Sequence, residues 1–361
     1  MIPAAIILGL LILIHELGHF IACRLSRVKV EKFSIGFGPE LAHWQGKETR
    51  YAISLFPLGG FVKPSGESLS ELHERPPQAG DYLAASLPRR MLIVVAGVIM
   101  NYLLAYVLFV GLFTMGFPVP GTKIGGFVEG YPAKSSGLAA GDRVLKINGQ
   151  PVRSWTELTH QLEITPERQI ELFVQRGRET LSLKVFPKID EIKDIFGERF
   201  TLKRLGITPD PQAHEFEKYS FLRALKVAWD RETAMTLLTH KAIFYLLLGK
   251  LSPKTISGPL GIIAMTGNAA HLGLPYVLHM TASLSISLAV INLLPVPALD
   301  GGHFLFLLIE AFRRKKVSLK VQERATQVGF ALLLMLMVFV IYNDLMNMEA
   351  FERIKGLFHI H

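Results

Sequence analysis

Between Met1 and Ile14 the chain carries no charged side chain, and His15, Glu16 and His19 then follow inside the same apolar run, LGLLILIHELGHF (Leu8–Phe20). In hydrocarbon every backbone polar group must be bonded within its own segment, so a stretch of this length and composition crosses a bilayer as a helix. Two histidines four apart lie on one helical face and can share a metal ion. The glutamate beside the first can act as base toward a water on that metal. Ionisable groups are costly at such a place and mark function. The pattern points to a hydrolytic metal centre within a membrane.

Composition agrees with the membrane setting. Of the 361 residues, 50% are apolar, and the mean hydropathy is +0.34, above the usual range of soluble domains. The formal charge of +9 does not indicate nucleic acid, because no basic stripe is interleaved with aromatic residues. Lys and Arg instead gather at the ends of apolar segments: Arg24, Arg27, Lys29 and Lys32, then Arg89 and Arg90, then Arg313 to Lys316. The single cysteine, Cys23, excludes a disulfide framework and a Cys-based zinc site, and reads as a small apolar residue at a helix end. The N-terminal segment lacks a basic n-region and a small-residue cleavage site, so it reads as retained rather than as a signal peptide.

Four segments can span a bilayer: Pro3–Cys23, Met91–Pro118, Leu274–Pro297 and Val328–Tyr342. The basic clusters assign one side as cytoplasmic. The path then runs with the N-terminus outside, four crossings, and the C-terminus outside. The expected fold is a polytopic α-helical membrane protein with four transmembrane helices, a membrane-associated β-hairpin region and an inserted PDZ-like α+β domain.

The domains expected are 1–118, an N-terminal membrane part; 119–188, the PDZ-like domain; 189–273, an amphipathic helical region on the outer face; and 274–361, a C-terminal membrane part. The hairpins are read from Val28–Pro64, where FSIGFGP, TRYAISLF and PLGGFVK alternate β-prone residues with turn glycines. Glu67–Pro88 reads as a polar, proline-containing loop. Thr122–Pro187 reads as strand, a short helix (PAKSSGL), strand, helix (SWTELTHQLEI) and two strands. Its run from Gly137 to Gly149 resembles bacterial PDZ domains, and only one such unit is present. Phe221–Lys250 is amphipathic rather than spanning, because Lys226, Asp230, Arg231, Glu232 and Lys241 interrupt its apolar residues.

A catalytic zinc takes three protein ligands and keeps one position open. The first helix supplies two. The run INLLPVPALDGGH (Ile291–His303) places Asp300 at the cytoplasmic end of the third span, and His303 is a competing ligand beside it. His15 lies about 20 Å down its helix from the outer end, at a rise of about 1.5 Å per residue. Two distant segments thus deliver side chains to one depth, near the cytoplasmic side. Asn101 reads as a helix-packing residue, His279 as interfacial, and Arg313–Lys316 as a topology anchor. A membrane-anchored zinc enzyme working in water would need a third ligand outside any apolar segment. A non-enzymatic adaptor with a peptide-binding unit would leave Asp300 and the matching depth unexplained.

The HELGH segment, GFGP (Gly36–Pro39), PLGGFVK (Pro57–Lys63), the PDZ-like unit, SGPLG (Ser257–Gly261) and NLLPVPALDGG (Asn292–Gly302) occur in that order. Together they resemble the site-2 protease family of M50-type intramembrane zinc metalloproteases, in particular its bacterial RseP-type regulators, over nearly the whole chain. The resemblance implies a Zn2+-dependent endopeptidase of the bacterial inner membrane. Its substrates would be single-pass membrane proteins cut within their transmembrane segments, usually after another protease has trimmed them; anti-sigma factors and remnant signal peptides are typical. It implies that His15, His19 and Asp300 bind zinc, that Glu16 is catalytic, and that Asn292 contacts substrate backbone. The glycines Gly36, Gly38, Gly59 and Gly60 read as turn residues first and as the substrate groove second. Two departures stand out: Val98 replaces a frequent proline, and one PDZ-like unit stands where some members have two.

Overall fold

The computed structural model describes residues 2–67, 76–194, 196–252 and 257–347. Four of its helices contain stretches long and apolar enough to cross a membrane: Pro3–Leu25, Leu87–Met115, Leu274–Asn292 and Leu319–Met346. They belong to α1 (Ile2–Leu25), α2 (Leu87–Met115), α6 (Leu274–Asn292) and α8 (Leu319–Asn347). All four expected spans are present, with shifted ends. The second stops at Met115, not Pro118, because Gly116 turns the chain at φ +108° and Phe117–Pro120 pairs as a strand. The third stops at Asn292, and a turn of seven residues separates it from a further helix, α7 (Asp300–Arg313). Asp300 therefore opens its own helix instead of closing the third span. The chain divides into two compact units, one of Met1–Gly111, Leu225–Leu246 and Ser252–His361, the other of Leu112–Ala224 and Leu247–Leu251.

In the first unit, α1 leads into two long antiparallel strands, β1 (Val30–Gln45) and β2 (Arg50–Pro64). Each is bent, so the pair works as four segments. Phe33 is partnered by both Tyr51 and Val62, while Trp44 is partnered by Tyr51 from its other side. The resulting order is 40–45, 50–54, 30–35, 60–64, with the last segment on an edge. Gly36 and Gly38 make the bend in β1 at φ +88° and +89°, where a side chain would be strained. The hairpin expectation for Val28–Pro64 holds. Of the expected loop Glu67–Pro88, residues 68–75 lie outside the described residues, and the described part contains one 3-10 turn, Tyr82–Ala84.

The helix α5 (Pro259–Leu272) begins at the SGPLG run, and its N-terminus is held by a carboxylate from α8. Asp344 accepts from the backbone N–H of Gly258 (2.8 Å), Leu260 (3.0 Å) and Gly261 (3.1 Å). Those donors have no partner within their own helix, and the positive end of the helix dipole favours an anion there. A side chain at Gly258 would stand 2.6 Å from Asp344 Oδ2 and 2.4 Å from Val340 Cγ1, so glycine is what lets the carboxylate approach. Helix α4 (Phe221–Leu247) buries a stripe of Ala224, Ala228 and Glu232 and exposes Trp229, Leu237 and Phe244. It is not among the helices long and apolar enough to cross a membrane.

The second unit has a core of Ile124, Val144, Ile147, Leu158, Ile170, Leu172 and Val174, none more than 1% exposed. Four antiparallel strands in the order β6 (Gln150–Pro151), β5 (Arg143–Ile147), β7 (Ile170–Arg176) and β8 (Glu179–Val185) form its sheet. The β5–β6 turn is Asn148-Gly149, both at positive φ (47° and 80°), the pair a tight hairpin prefers. Helix α3 (Trp155–Ile164) starts where Ser154 Oγ accepts from the Glu157 N–H.

Two expectations are corrected here. Pro132–Gly137 forms turns and no helix, since Gly137 at φ +88° and Gly141 at φ +92° close the segment early. The stretch from 189 to 217, expected within an amphipathic helical region, is made of strands. Of these, β9 (Lys188–Lys193) pairs with β10 (Arg199–Arg204). Two more return to earlier strands: β11 (Ile207–Pro209) pairs with β4 (Ile124–Phe127), and β12 (His214–Glu217) with β3 (Phe117–Pro120). Helix begins only at Phe221.

Candidate metal centre

Three side chains from two distant parts of the sequence converge at one point. His15 Nε2 and His19 Nε2 are 3.2 Å apart. Asp300 Oδ2 lies 3.0 Å from the first and 3.5 Å from the second. The donors of a tetrahedral zinc site, each about 2.0–2.1 Å from the metal, stand about 3.3 Å from one another. The triangle has that size, and its chemistry of two imidazoles and one carboxylate is that of a catalytic site with an open position. Asp300 Oδ2 is also buried, and apart from the two imidazoles no donor among the described residues reaches it. A buried carboxylate oxygen left in that state is costly unless a cation shares the space. The residues fit a zinc ion.

The histidines are placed from α2. His19 Nδ1 donates to the carbonyl of Ile93 at 2.8 Å, and a carbonyl can only accept, so Nε2 is left with its lone pair toward the triangle. One turn further along α2, Gly97 faces both rings. A Cβ there would stand 2.4 Å from His19 Nε2 and 2.7 Å from His15 Nε2. One more turn on, the Asn101 amide meets His15 Nδ1 at 3.2 Å. The close approach of the two helices also depends on Gly18, whose Cβ would fall 2.4 Å from the Ala96 carbonyl oxygen. At the head of α7, Gly301 and Gly302 are equally confined, with carbonyls of Leu293, Leu294 and Val296 within 2.2–2.3 Å of any added Cβ. Those two glycines allow the tight turn that swings Asp300 back to the histidines.

Glu16 lies between the triangle and the sheet. Its Oε2 accepts from the Val62 N–H at 3.1 Å, so the edge segment 60–64 holds the carboxylate. Gly60 is beside it, with Glu16 Cγ 3.9 Å from a built Cβ, and Gly59 (φ +110°) packs on Ile12 of α1. The Asn292 amide nitrogen is 3.4 Å from His15 Nε2. Of the residues expected from sequence, His15, His19, Asp300, Glu16, Asn292, Gly59 and Gly60 are thus gathered around one point. Gly36 and Gly38 meet Ser54 and Phe56 instead, across the bend of β1. His303 lines a cavity of about 590 Å³ that opens on the site. The cavity is also lined by Arg90 and Glu310, which form a buried two-pronged ion pair between α2 and α7.

The contribution of α2 was not anticipated. Ile93, Gly97 and Asn101 are spaced by four and share one face, but a carbonyl, a missing side chain and an amide carry little signal in a uniformly apolar helix.

Comparison with known proteins agrees with the chemistry. The sequence profile of Peptidase family M50 matches residues 3–336. A relative from Rhizobium meliloti is 34% identical over 352 residues, covering 94% of each chain. One from Clostridium acetobutylicum is 35% identical over 343 residues, 94% of this chain and 96% of the relative. One from Campylobacter jejuni is 33% identical over 344 residues, 95% and 92% respectively. All three carry the name "Putative zinc metalloprotease". With the profile spanning most of its length and relatives of this kind aligned nearly end to end, the chain belongs to Peptidase family M50, a family of zinc metalloproteases, and is a multi-pass membrane protein.

Proposed function

We propose that this protein is an intramembrane endopeptidase that cuts single-pass membrane proteins within their transmembrane segments. In this reading His15, His19 and Asp300 hold the zinc and Glu16 is the catalytic acid and base. The observation that carries it is the triangle of His15 Nε2, His19 Nε2 and Asp300 Oδ2. Its edges of 3.0–3.5 Å join a histidine pair inside one membrane-length helix to a carboxylate just beyond another. Zinc, when bound, supplies a Lewis acid and lowers the pKa of a water to about 7. Glu16 takes the proton from that water as the scissile carbonyl is attacked, and gives it to the leaving amine. Asn292, whose amide nitrogen is 3.4 Å from His15 Nε2, would hold a substrate backbone group there.

A transmembrane helix presents no free carbonyl, so the substrate must unwind, and an extended strand needs new backbone partners. The edge segment 60–64 is suited to supply them, since its Val62 N–H already points away from the sheet toward Glu16. Gly36 and Gly38 would act by shaping the bend that presents this sheet. With the basic clusters on the cytoplasmic side, the termini and the inserted unit would lie on the outer side of a bacterial inner membrane and the zinc toward the cytoplasm. The inserted unit, read as PDZ-like from its Gly137–Gly149 run, would then act on trimmed outer domains, by binding their ends or by excluding bulky ones. Anti-sigma factors and remnant signal peptides are the substrate classes this arrangement suits, and release of such products is regulated intramembrane proteolysis.

Co-expression with a tagged single-pass protein tests the reading. Native protein is expected to release a fragment cut inside the membrane segment, while Glu16→Gln and Asp300→Asn release none. Equal cleavage by all three would overturn the assignment.

A further inference from the structure

We propose that Asn101 is a positioning residue for the metal centre: its side-chain oxygen accepts the Nδ1 proton of His15 and so fixes the tautomer that turns Nε2 to the zinc. The proposal rests on the reading of His15 as a zinc ligand. Three observations lead to it.

First, Asn101 is fully buried and its amide nitrogen sits 3.2 Å from His15 Nδ1, while its Oδ1 is buried with no partner among the described residues. In that orientation the amide donates to Nδ1, which places the ring's own proton on Nε2. Nε2 is 3.2 Å from His19 Nε2 and 3.0 Å from Asp300 Oδ2, so that proton would lie inside the triangle and block it. A half-turn of the amide exchanges its oxygen and nitrogen with little other movement. Oδ1 then accepts from Nδ1–H, and the Nε2 lone pair faces the metal.

Second, His19 already has this arrangement. Its Nδ1 donates to Ile93 O, two turns earlier on the same face of α2. A single helix face would thus set the tautomers of both imidazoles, with Gly97 between them leaving the space the rings occupy. A ligating histidine whose second nitrogen is held in this way is both oriented and made a stronger base.

Third, Asn101 is itself held. Ser285 Oγ of α6 donates to the Asn101 backbone carbonyl at 2.8 Å, so the backbone that carries the amide is tied to a second helix. Among the described residues, the polar contacts of Asn101 beyond its own helix are with the ring of His15 and with Ser285, and only the first uses its side chain.

The test is zinc affinity of the full chain in detergent, by competition with a chromophoric chelator. Native protein is compared with Asn101→Leu, Asn101→Ala and Asn101→Asp, each first shown to be monodisperse. Leucine and alanine remove the acceptor and are expected to weaken zinc binding by about 10- to 100-fold. Aspartate keeps an acceptor at the same place and is expected to stay within about threefold of native. A residue that merely packed helices would give the opposite order, because leucine is well tolerated in an apolar interface and an unpartnered buried carboxylate is not. Unchanged affinity in Asn101→Leu and Asn101→Ala, or a loss in Asn101→Asp as large as theirs, would overturn the proposal. Native protein that takes up no stoichiometric zinc would instead overturn the metal reading of His15 beneath it, a result that does not depend on any variant.

Discussion

Gly97 faces His19 across a gap that no side chain fits, with a built Cβ only 2.4 Å from Nε2. Gly97→Ala must push either α2 or the imidazole away by several tenths of an ångström. A catalytic constellation does not tolerate much displacement, since misplacement by about 1 Å costs on the order of 100-fold in rate. Gly97→Ala is therefore expected to lose zinc affinity and proteolysis together, by about 100-fold or more. Gly111→Ala, in the same helix but with no described residue within 4 Å of its Cβ, serves as the control and is expected to behave as native.

Asp344 and the N-terminus of α5 give a prediction about stability rather than chemistry. The carboxylate is 4% exposed and satisfies three backbone donors. Asp344→Ala leaves all three unpaired in an apolar setting and is expected to cost about 3 kcal/mol. Because α5 contacts α1, the helix of the histidines, the loss should lower the melting temperature in detergent and also reduce zinc retention on heating. Asp344→Asn keeps an acceptor oxygen and is expected to lose less. A melting temperature unchanged in Asp344→Ala would contradict the role assigned to this clamp.

In the inserted unit, Asp142 is 1% exposed at its side chain. It accepts twice from Arg176, at 2.8 Å each, and once from the Ala139 N–H. The Arg176 guanidinium, together with the Ala139 N–H, holds its carboxyl below the usual range. A folded-state pKa below the unfolded one gives stabilisation that is complete above about pH 4 and disappears as pH falls through the folded value. Arg176 is 42% exposed, so solvent screening keeps the effect small. Protection of the β5 and β7 amides of native protein, relative to their intrinsic exchange rates at each pH, should fall on acidification below about pH 4. Asp142→Asn should start from faster exchange at pH 7 and respond less to acid.

Much of the site was legible because its signals are out of place chemically. Histidines and a glutamate in an uncharged span, and an aspartate before two glycines, stand out against their surroundings. What supports them does not. Ile93 acts through its carbonyl and Gly97 through an absent side chain, and Asn101 reads equally well as helix packing. The same holds for Asp344, whose partners are backbone N–H groups 83–86 residues earlier in the chain. In the fold, the four spans were visible in hydropathy alone, but strands β9 to β12 were not. Their runs are short and charged, as in KIDEIK and RFTLKR, and β11 and β12 are fixed by pairing with strands more than 80 residues earlier. Local pattern carries no trace of such long-range pairing.

The edge segment 60–64 can be tested without disturbing the metal. Val62 donates its N–H to Glu16 Oε2 at 3.1 Å, on the side away from its strand partner Phe33. Proline is tolerated on an edge strand where the lost N–H faces outward, so Val62→Pro removes one donor and leaves the sheet paired. If the edge serves both to hold Glu16 and to receive an extended substrate, Val62→Pro should keep native zinc stoichiometry and lower kcat/KM by about 10- to 100-fold, on the scale of one or two charge-assisted hydrogen bonds. Val62→Ala keeps the N–H and should stay near native, which separates loss of the donor from loss of the side chain. Native turnover in Val62→Pro would place the substrate strand elsewhere, and zinc loss in that variant would show that the segment supports the metal rather than the peptide.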